Sequence, residues 1–178
     1  MEANMKIKSL LLAGVLSCSA AWAADEAPVN PVTEDGVVKI VWQSPKDFRD
    51  IKSSGEIQSR YEKRLFETLT ENINKEAAKI LKPNQKLEMT ITDVDLAGDM
   101  RPTFGATAND LRIIKDIYPP RITFSYQVLE NDKVIIAGDE KLSDMGFMDG
   151  IKSLTDKPFI YETKMLTDWL KKTIAPQL

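Results

Sequence analysis

The residues best suited to chemistry form an aspartate-rich stretch near the middle of the chain. Asp93, Asp95 and Asp99 follow the pattern Asp-x-Asp-x-x-Gly-Asp, and Arg101 lies two residues further on. Carboxylates at a turn supply the hard oxygen ligands that Ca²⁺ prefers, and a carboxylate pair can also serve hydrolysis as acid and base. The pattern departs from the EF-hand, because Phe104 occupies the position of its bidentate glutamate. A third interpretation, which we favour, is that these side chains cap a turn and form ion pairs.

Two further stretches could form contact surfaces. Asp116 and Tyr118 precede two prolines and Arg121, so a rigid segment would present an aromatic ring beside an arginine, a composition favoured at interfaces. We favour the alternative that the prolines turn the chain while Tyr118 packs and Arg121 bonds Asp116. The loop 144–150 carries methionine and phenylalanine beside glycine. It forms either a contact site or a satellite of the core, and we favour the second interpretation.

The composition excludes several kinds of catalysis. The chain has no histidine, and its single cysteine, Cys18, lies in the N-terminal segment. Imidazole is the usual general base near neutral pH, and thiolate is a strong nucleophile and a soft metal ligand. Cys–His and Ser–His–Asp catalysis, zinc sites made of cysteine and histidine, haem ligation by histidine and structural disulfides are therefore excluded for the mature domain. We expect no cofactor and favour a binding protein over an enzyme.

The N-terminus has the three parts of an export signal. A short basic region at residues 5–8 precedes an apolar segment at residues 9–20 and a small-x-small cleavage site that ends at Ala23. The apolar segment is shorter than the roughly 20 residues that a membrane span needs. We therefore predict a cleaved signal peptide at residues 1–23 and a periplasmic location. A weak lipobox ending at Cys18 offers a competing route through lipidation, which we consider the less favoured one.

The remainder of the chain suits a single domain. In the whole chain of 178 residues, lysine and arginine number 24 against 27 aspartates and glutamates, which gives a formal net charge of −3. An acidic chain with no basic run lacks the electrostatic footprint of a nucleic-acid-binding protein. Residues 24–36 contain two prolines and few apolar side chains, so we predict a flexible tail there. One domain is expected over residues 37–178.

Hydrophobic periodicity predicts an α+β fold for that domain. Alternating or β-branched runs indicate strands at residues 37–42, 86–95, 121–130 and 133–142, the last two joined as a hairpin, with an irregular strand at 111–117. Apolar residues at spacings of three and four predict helices at residues 56–81 and 161–174, the first capped by Ser53 or Ser54. We predict a two-layer sandwich: a mostly antiparallel sheet of about four to five strands with two amphipathic helices on one face.

The strand at 86–95 contains a conflict at its end. Continued alternation would place Asp93 and Asp95 on the same face as the apolar Leu87, Met89 and Ile91. Carboxylates on the core side of a strand are costly unless they are paired or solvated. We therefore expect either a bulge near residue 92 that exchanges the two faces, or a solvated strand end beside cations. The candidate cations are Arg101, Arg112, Lys115 and Arg121.

Three motifs together resemble a known bacterial family. They are TDVDLAGD at residues 92–99, IKDIYPPRITFSY at 114–126 and YETKMLTDWLKK at 161–172. The segment VWQSPKDFRDI at 41–51 also resembles the N-terminal pattern of that family. The resemblance is to the uncharacterised domain-of-unknown-function family 3016, whose members are typically predicted to be secreted or periplasmic. It implies a family and a compartment, but no activity and no site.

These observations favour a non-enzymatic binding or interaction module of the cell envelope. Its partner would be an envelope protein or peptide, with no nucleic acid and no transmembrane segment involved. The expected binding residues are Asp93, Asp95, Asp99, Arg101, Asp116, Tyr118 and Arg121. The alternative is a divalent-metal-binding protein or a hydrolase that uses Asp93, Asp95 and Asp99. A structural protein with no discrete ligand is a third class.

Overall fold

The computed structural model describes residues 30–103, 110–149 and 157–178. The predicted signal peptide, including Cys18, therefore lies outside the described residues. The described strands are β1 (Val32–Asp35), β2 (Val38–Trp42), β3 (Gln85–Asp95), β4 (Asp99–Pro102), β5 (Asp110–Ile113), β6 (Arg121–Glu130) and β7 (Lys133–Ser143). The two α-helices are α1 (Gln58–Ile80) and α2 (Ile160–Trp169).

Five of the strands form one sheet in the order β1-β2-β3-β6-β7. All neighbouring strands are antiparallel except β2 and β3, and α1 supplies the crossover that a parallel pair requires. The register places Trp42, Ile91 and Phe124 side by side on the face against which both helices pack. The predicted two-layer α+β sandwich with a mostly antiparallel sheet is confirmed.

Aromatic contacts join both helices to this face of the sheet. Phe66 of α1 stacks on Trp42, with ring centroids 4.2 Å apart. Trp169 of α2 meets Phe124 and Tyr126 edge to face, at 4.8 and 5.0 Å. Such pairs contribute about 0.5–1.5 kcal/mol each beyond the burial of their area. The buried apolar residues of the strands and of both helices form one continuous core.

The long helix has the predicted apolar face but not the predicted cap. Its buried residues recur at spacings of three and four, as an amphipathic helix requires. Ile57 occupies the N-cap position, and neither Ser53 nor Ser54 caps the helix. Instead the Ser53 hydroxyl accepts a hydrogen bond from the Glu56 amide, 3.0 Å away, within the turn before the helix. In the part of the chain that the structure describes, no helix is both long and apolar enough to span a membrane.

The predicted tail at residues 24–36 ends earlier than the sequence indicated. Val32–Asp35 is an edge strand that pairs with β2, because polar side chains fix it to its neighbours. The Thr70 hydroxyl donates to the Phe66 carbonyl, so Thr33 donates to Thr70 and accepts from Trp42 Nε1, at 2.6 and 2.9 Å. Composition counts apolar residues, and it therefore overlooked a strand that is held by hydroxyl groups.

An irregularity between Ile91 and Asp93 breaks the register of β3 with β6. Thr92 is exposed at this bulge, and beyond it Val94 and Leu96 are buried while Asp93 and Asp95 face outward. The first of the two predicted solutions to the conflict is therefore the correct one: an extra residue exchanges the faces. The bulge keeps both carboxylates out of the core.

A second, small sheet forms where the sequence predicted only an irregular strand at 111–117. The strands β4 and β5 pair antiparallel as a two-stranded ribbon. Gly98 leads into it with φ of +90°, and a Cβ atom there would lie 2.7 Å from the Ile113 carbonyl oxygen. The ribbon thus requires glycine at this turn, both for its backbone conformation and for its close approach.

Predictions for the C-terminal half hold with small shifts. The β6–β7 hairpin turns at Asn131 and Asp132, which both have positive φ as a tight hairpin turn demands. The final helix changes after Trp169 into a π-helical turn at Leu170–Ile174 and a 3₁₀ turn at Ala175–Gln177. Pro176 lacks the N–H that a continued α-helix would use.

We expect Thr33→Val to destabilise the domain by about 1–3 kcal/mol, because it leaves the buried Trp42 Nε1–H without its acceptor. Thr90→Val is the matched control, since Thr90 lies on the opposite face of β3 and should change stability by less than about 0.5 kcal/mol. Urea denaturation measures both. Equal effects of the two variants would show that the hydroxyl chain does not anchor β1.

Candidate functional site

A cleft of about 300 Å³ lies where the end of β3 meets the ribbon and the segment that precedes β6. It brings together three cations, three carboxylates and an apolar wall. They are Arg49, Lys52 and Arg121; Asp50, Asp95 and Asp99; and Met100, Ile117, Tyr118 and Pro119. Four of the predicted binding residues line this cleft: Asp95, Asp99, Tyr118 and Arg121.

Asp95 is shared by two arginines. Arg121 lies directly opposite it on β6, and Nη1 of Arg121 donates to Oδ2 of Asp95 at 2.9 Å. Nη1 of Arg49 lies 3.6 Å from the same oxygen. The Asp95 side chain is only 13% exposed, whereas Arg49 and Arg121 are 56% and 43% exposed. The carboxylate therefore orients two guanidinium groups that remain open to solvent.

The segment that carries Arg49 is fastened along β3 by its backbone. The Arg49 amide donates to Oδ1 of Asp93 at 2.9 Å. The Asp50 amide donates to the Val94 carbonyl, and the Asp50 carbonyl accepts from the Leu96 amide. Asp93 therefore does not line the cleft; it positions the backbone of a residue that does.

Asp50 forms a closed pair with Arg112 beside the cleft. Nη1 and Nη2 of Arg112 donate to the two carboxylate oxygens, each at 3.0 Å, and Nη2 also reaches the Lys52 carbonyl. Both side chains are largely shielded from solvent. Such bidentate pairs are among the stronger hydrogen-bonded contacts in proteins. This pair binds the ribbon to the body of the domain.

On the other side of the cleft, Arg101 connects Asp99 and Tyr118. Its Nη2 lies 2.7 Å from Oδ2 of Asp99 and donates to the Tyr118 hydroxyl at the same distance. The guanidinium also lies over the Tyr118 ring, 5.9 Å from its centroid. Asp116 is exposed and does not line the cleft. The ion pair of Arg121 is with Asp95 and not with Asp116, which the sequence favoured.

The three aspartates proposed as metal ligands are held apart by these arginines. Within the described ranges, no three acidic side chains are placed to share a metal ion. Asp93 and Asp95 contact Arg49 and Arg121, while Asp99 contacts Arg101. These contacts agree with the interpretation of the motif as ion-paired aspartates. They do not form a set of free carboxylate ligands.

Glu162 is a buried acid that sequence reasoning missed. Its Oε1 accepts a hydrogen bond from the Ala97 amide at 2.8 Å, so α2 holds the turn that leads into the cleft. Burial raises the pKa of Glu162, and the hydrogen bond from the Ala97 amide, with the more weakly acting positive charge of Arg112, only partly opposes this. A glutamate in the first turn of a helix is common, so the sequence carried no signal that this one is buried.

A second concavity, larger than the cleft at about 590 Å³, lies on the face of the sheet away from the helices. Short polar side chains such as Thr90 and Ser125 line it, and Gln127 is bonded across the strands to Glu88 at 2.7 Å. None of the predicted binding residues lies there. Its lining includes a single cation, Lys39, and no arginine, so the cleft is the better candidate site.

We expect Glu162→Gln to gain stability relative to the wild type as the pH rises from about 5 to about 8. Because the pKa of Glu162 is higher in the folded than in the unfolded protein, its protonated side chain contributes to the free energy of unfolding in full only below the unfolded-state pKa. This contribution is lost as the pH rises through the folded value. Glutamine cannot ionise, and it keeps the oxygen that accepts from Ala97. Urea denaturation across this range measures the difference.

Glu76→Gln is the matched control for this pH dependence. A hydrogen bond from Lys79 and a second from Lys171 lower the pKa of Glu76, so it titrates below the tested range. Its stability difference from the wild type should be flat between about pH 5 and about pH 8. A flat difference for Glu162→Gln as well would contradict the assigned role of burial.

Comparison with known proteins gives a family and no function. No curated protein and no solved structure matches the chain. The family model described as "Protein of unknown function (DUF3016)" matches residues 36–172. This range contains every residue of the cleft and confirms the resemblance that the motifs indicated. The chain belongs to the DUF3016 family.

Proposed function

We propose that this protein is a non-enzymatic binding module exported to the cell envelope, and that the cleft is its binding site. The observation that carries the proposal is the state of the charged groups in the cleft. Asp50, Asp95 and Asp99 are each engaged by an arginine, while Arg49 and Arg121 keep about half of their surface exposed. The exposed guanidinium groups of Arg49 and Arg121 can therefore contact a partner.

The same pairing argues against carboxylate catalysis. A catalytic carboxylate must be free to reach the substrate, and the three carboxylates that line the cleft are occupied by guanidinium groups. Among the described residues, Glu162 is the one carboxylic acid with a raised pKa; it is enclosed in the core, and the cleft does not include it. The chain also has no histidine to supply the missing base.

The apolar wall of the cleft supports a protein or peptide partner. Ile117 is exposed beside Tyr118, and Leu111 and Ile113 are exposed on the neighbouring ribbon. Arginine and tyrosine among exposed apolar side chains are typical of the centres of protein interfaces. An envelope protein or peptide is the partner that we propose, with neither nucleic acid nor a transmembrane segment involved.

Export is supported by the sequence of residues 1–23, which has the order of a basic region, an apolar segment and a small-x-small cleavage site. We propose that cleavage after Ala23 releases the domain into the periplasm. No cysteine follows Cys18, so an exported domain would depend on its core, and not on disulfides, for stability.

The alternative function, a divalent-metal site or a hydrolase built on Asp93, Asp95 and Asp99, has weaker support. These carboxylates contact guanidinium groups, and a metal ion would have to displace those contacts. No observation in the described part of the chain favours it over binding.

Expression in a bacterium with a periplasm tests export. We expect the protein in the periplasmic fraction, with an intact mass that corresponds to a chain beginning at Ala24. A diacylglycerol-bearing chain that begins at Cys18 would replace cleavage after Ala23 by lipidation and would leave export intact. Full-length protein confined to the cytoplasm would contradict the proposal.

Photo-crosslinking tests the cleft as a binding site. A photoreactive amino acid at Ile117, which is 64% exposed in the cleft, should give a discrete adduct in living cells. Val134, at 53% exposure, is the matched control, because it lies at the other end of the β6–β7 hairpin from Arg121. The adduct should weaken when Arg121→Glu is added. No adduct at Ile117, or identical adducts at both positions, would contradict the proposed site.

A further inference from the structure

We infer that the cleft binds an anionic group, a carboxylate or a phosphate, between the side chains of Arg49, Lys52 and Arg121. The inference rests on the proposed function, because it names the chemistry that the binding cleft recognises. These three cations come from two separate parts of the chain and line the same cleft.

The first argument is that these cations have N–H groups that donate to no acceptor among the described residues. The Arg49 guanidinium reaches carboxylates only at 3.4 and 3.6 Å and donates no hydrogen bond to the described residues. Within the described residues, the Arg121 guanidinium donates from one of its nitrogens, Nη1, and the Lys52 ammonium forms no ion pair. A guanidinium carries several N–H donors in a planar fork. Most of those donors therefore face the cleft or solvent without an acceptor in the described part of the chain.

The second argument is charge balance. Arg112 matches Asp50 through two hydrogen bonds, and Arg101 matches Asp99. Three cleft cations remain: Arg49, Lys52 and Arg121. Among the described residues, the carboxylates that Arg49 and Arg121 contact are Asp93 and Asp95, and Lys52 contacts none. This leaves an excess of one positive charge in a chain whose net charge is −3. A single bound anion would balance that excess.

The third argument is that the arrangement is fixed before any ligand arrives. Asp95 orients both guanidinium groups, and the Arg49 backbone is tied to Asp93 and through its neighbour to Val94. Holding the donors in place lowers the entropy lost on binding. The forked geometry of guanidinium suits carboxylate and phosphate oxygens, which accept two parallel hydrogen bonds.

The size and lining of the cleft indicate that the anion belongs to a larger molecule. A space of about 300 Å³ is larger than one such group needs, and Met100 and Ile117 form an apolar wall beside the cations. The proposed protein or peptide partner would supply a carboxylate from an acidic side chain or from its C-terminus. An envelope polymer that carries phosphate is the other outcome that the test distinguishes. The two sources share the chemistry that the cations recognise.

An NMR titration of amide signals tests this inference on the protein as purified from cells. Inorganic phosphate and acetate are the probes, with chloride at matched ionic strength as the reference. We expect saturable shifts at millimolar probe concentration, concentrated in residues 49–52, 95–99 and 118–121. Saturation by phosphate alone would assign a phosphate group, and saturation by acetate would assign a carboxylate. Shifts that never saturate, or that chloride reproduces, would overturn the inference.

Arginine variants make the test specific. Arg121→Gln should weaken the interaction with the probe about tenfold, the loss expected when one charge-assisted hydrogen-bonding group is removed. Arg49→Gln is a second variant that keeps the Arg121–Asp95 pair intact and so guards against a folding defect. Arg60→Gln is the matched control, because it removes the same charge from the exposed start of α1. An equal loss in Arg60→Gln would overturn the inference.

The outcome is separable from that of the proposed function. An adduct at Ile117 without saturable anion binding would keep the cleft as a binding site and reject the anion as its ligand. Saturable anion binding without an adduct would support the anion site and count against a protein partner.

Discussion

One extra residue in β3 turns Asp95, the carboxylate shared by two arginines of the cleft, away from the core. Before the bulge at Thr92, alternate residues of the strand enter the core, and after it the order is reversed, so Val94 and Leu96 are buried instead of the two aspartates. A burial of that kind would leave two carboxylates in an apolar layer at a cost of several kcal/mol per ion. With the bulge, Asp95 turns outward beside Arg121, and the segment that carries Arg49 can align along the strand. The cleft is thus a consequence of a local break in pleating.

The cleft is held together by contacts between residues that are distant in the chain. The hydrogen bonds from Arg49 to Asp93, from Arg112 to Asp50 and from Ala97 to Glu162 span 44, 62 and 65 residues. They fasten the segment before α1 and the start of α2 to the end of β3, and they fasten the ribbon to the segment before α1. Two of these contacts are made by side chains that are almost shielded from water, where a hydrogen bond to a charged group contributes more than it does at the surface.

Local patterns predicted the elements well and predicted the site only in part. Strict alternation identified β6 and its hairpin. The misplaced charges of Asp93 and Asp95 indicated either a bulge near residue 92 or a solvated strand end beside cations, and the structure has the bulge. The charge of Asp95 also suggested a cationic partner, and Arg121 is that partner. Arg49 and Asp50 gave no signal, because their roles arise from tertiary contacts and no periodicity records them. Edge strand β1 was missed for a related reason, since hydroxyl groups rather than apolar side chains hold it.

The parallel pairing of β2 with β3 affects the order in which the molecule can assemble. As the chain emerges from its N-terminus, β2 appears long before its parallel neighbour β3, and β3 in turn lacks its second neighbour until β6 has emerged. Only the β6–β7 hairpin of the five-stranded sheet described here closes late and from purely local sequence. Topologies dominated by such distant pairings fold slowly. A nascent chain that ends before residue 121 would expose the edge of β3 and the apolar faces of α1, and holding such chains apart is a task for chaperones.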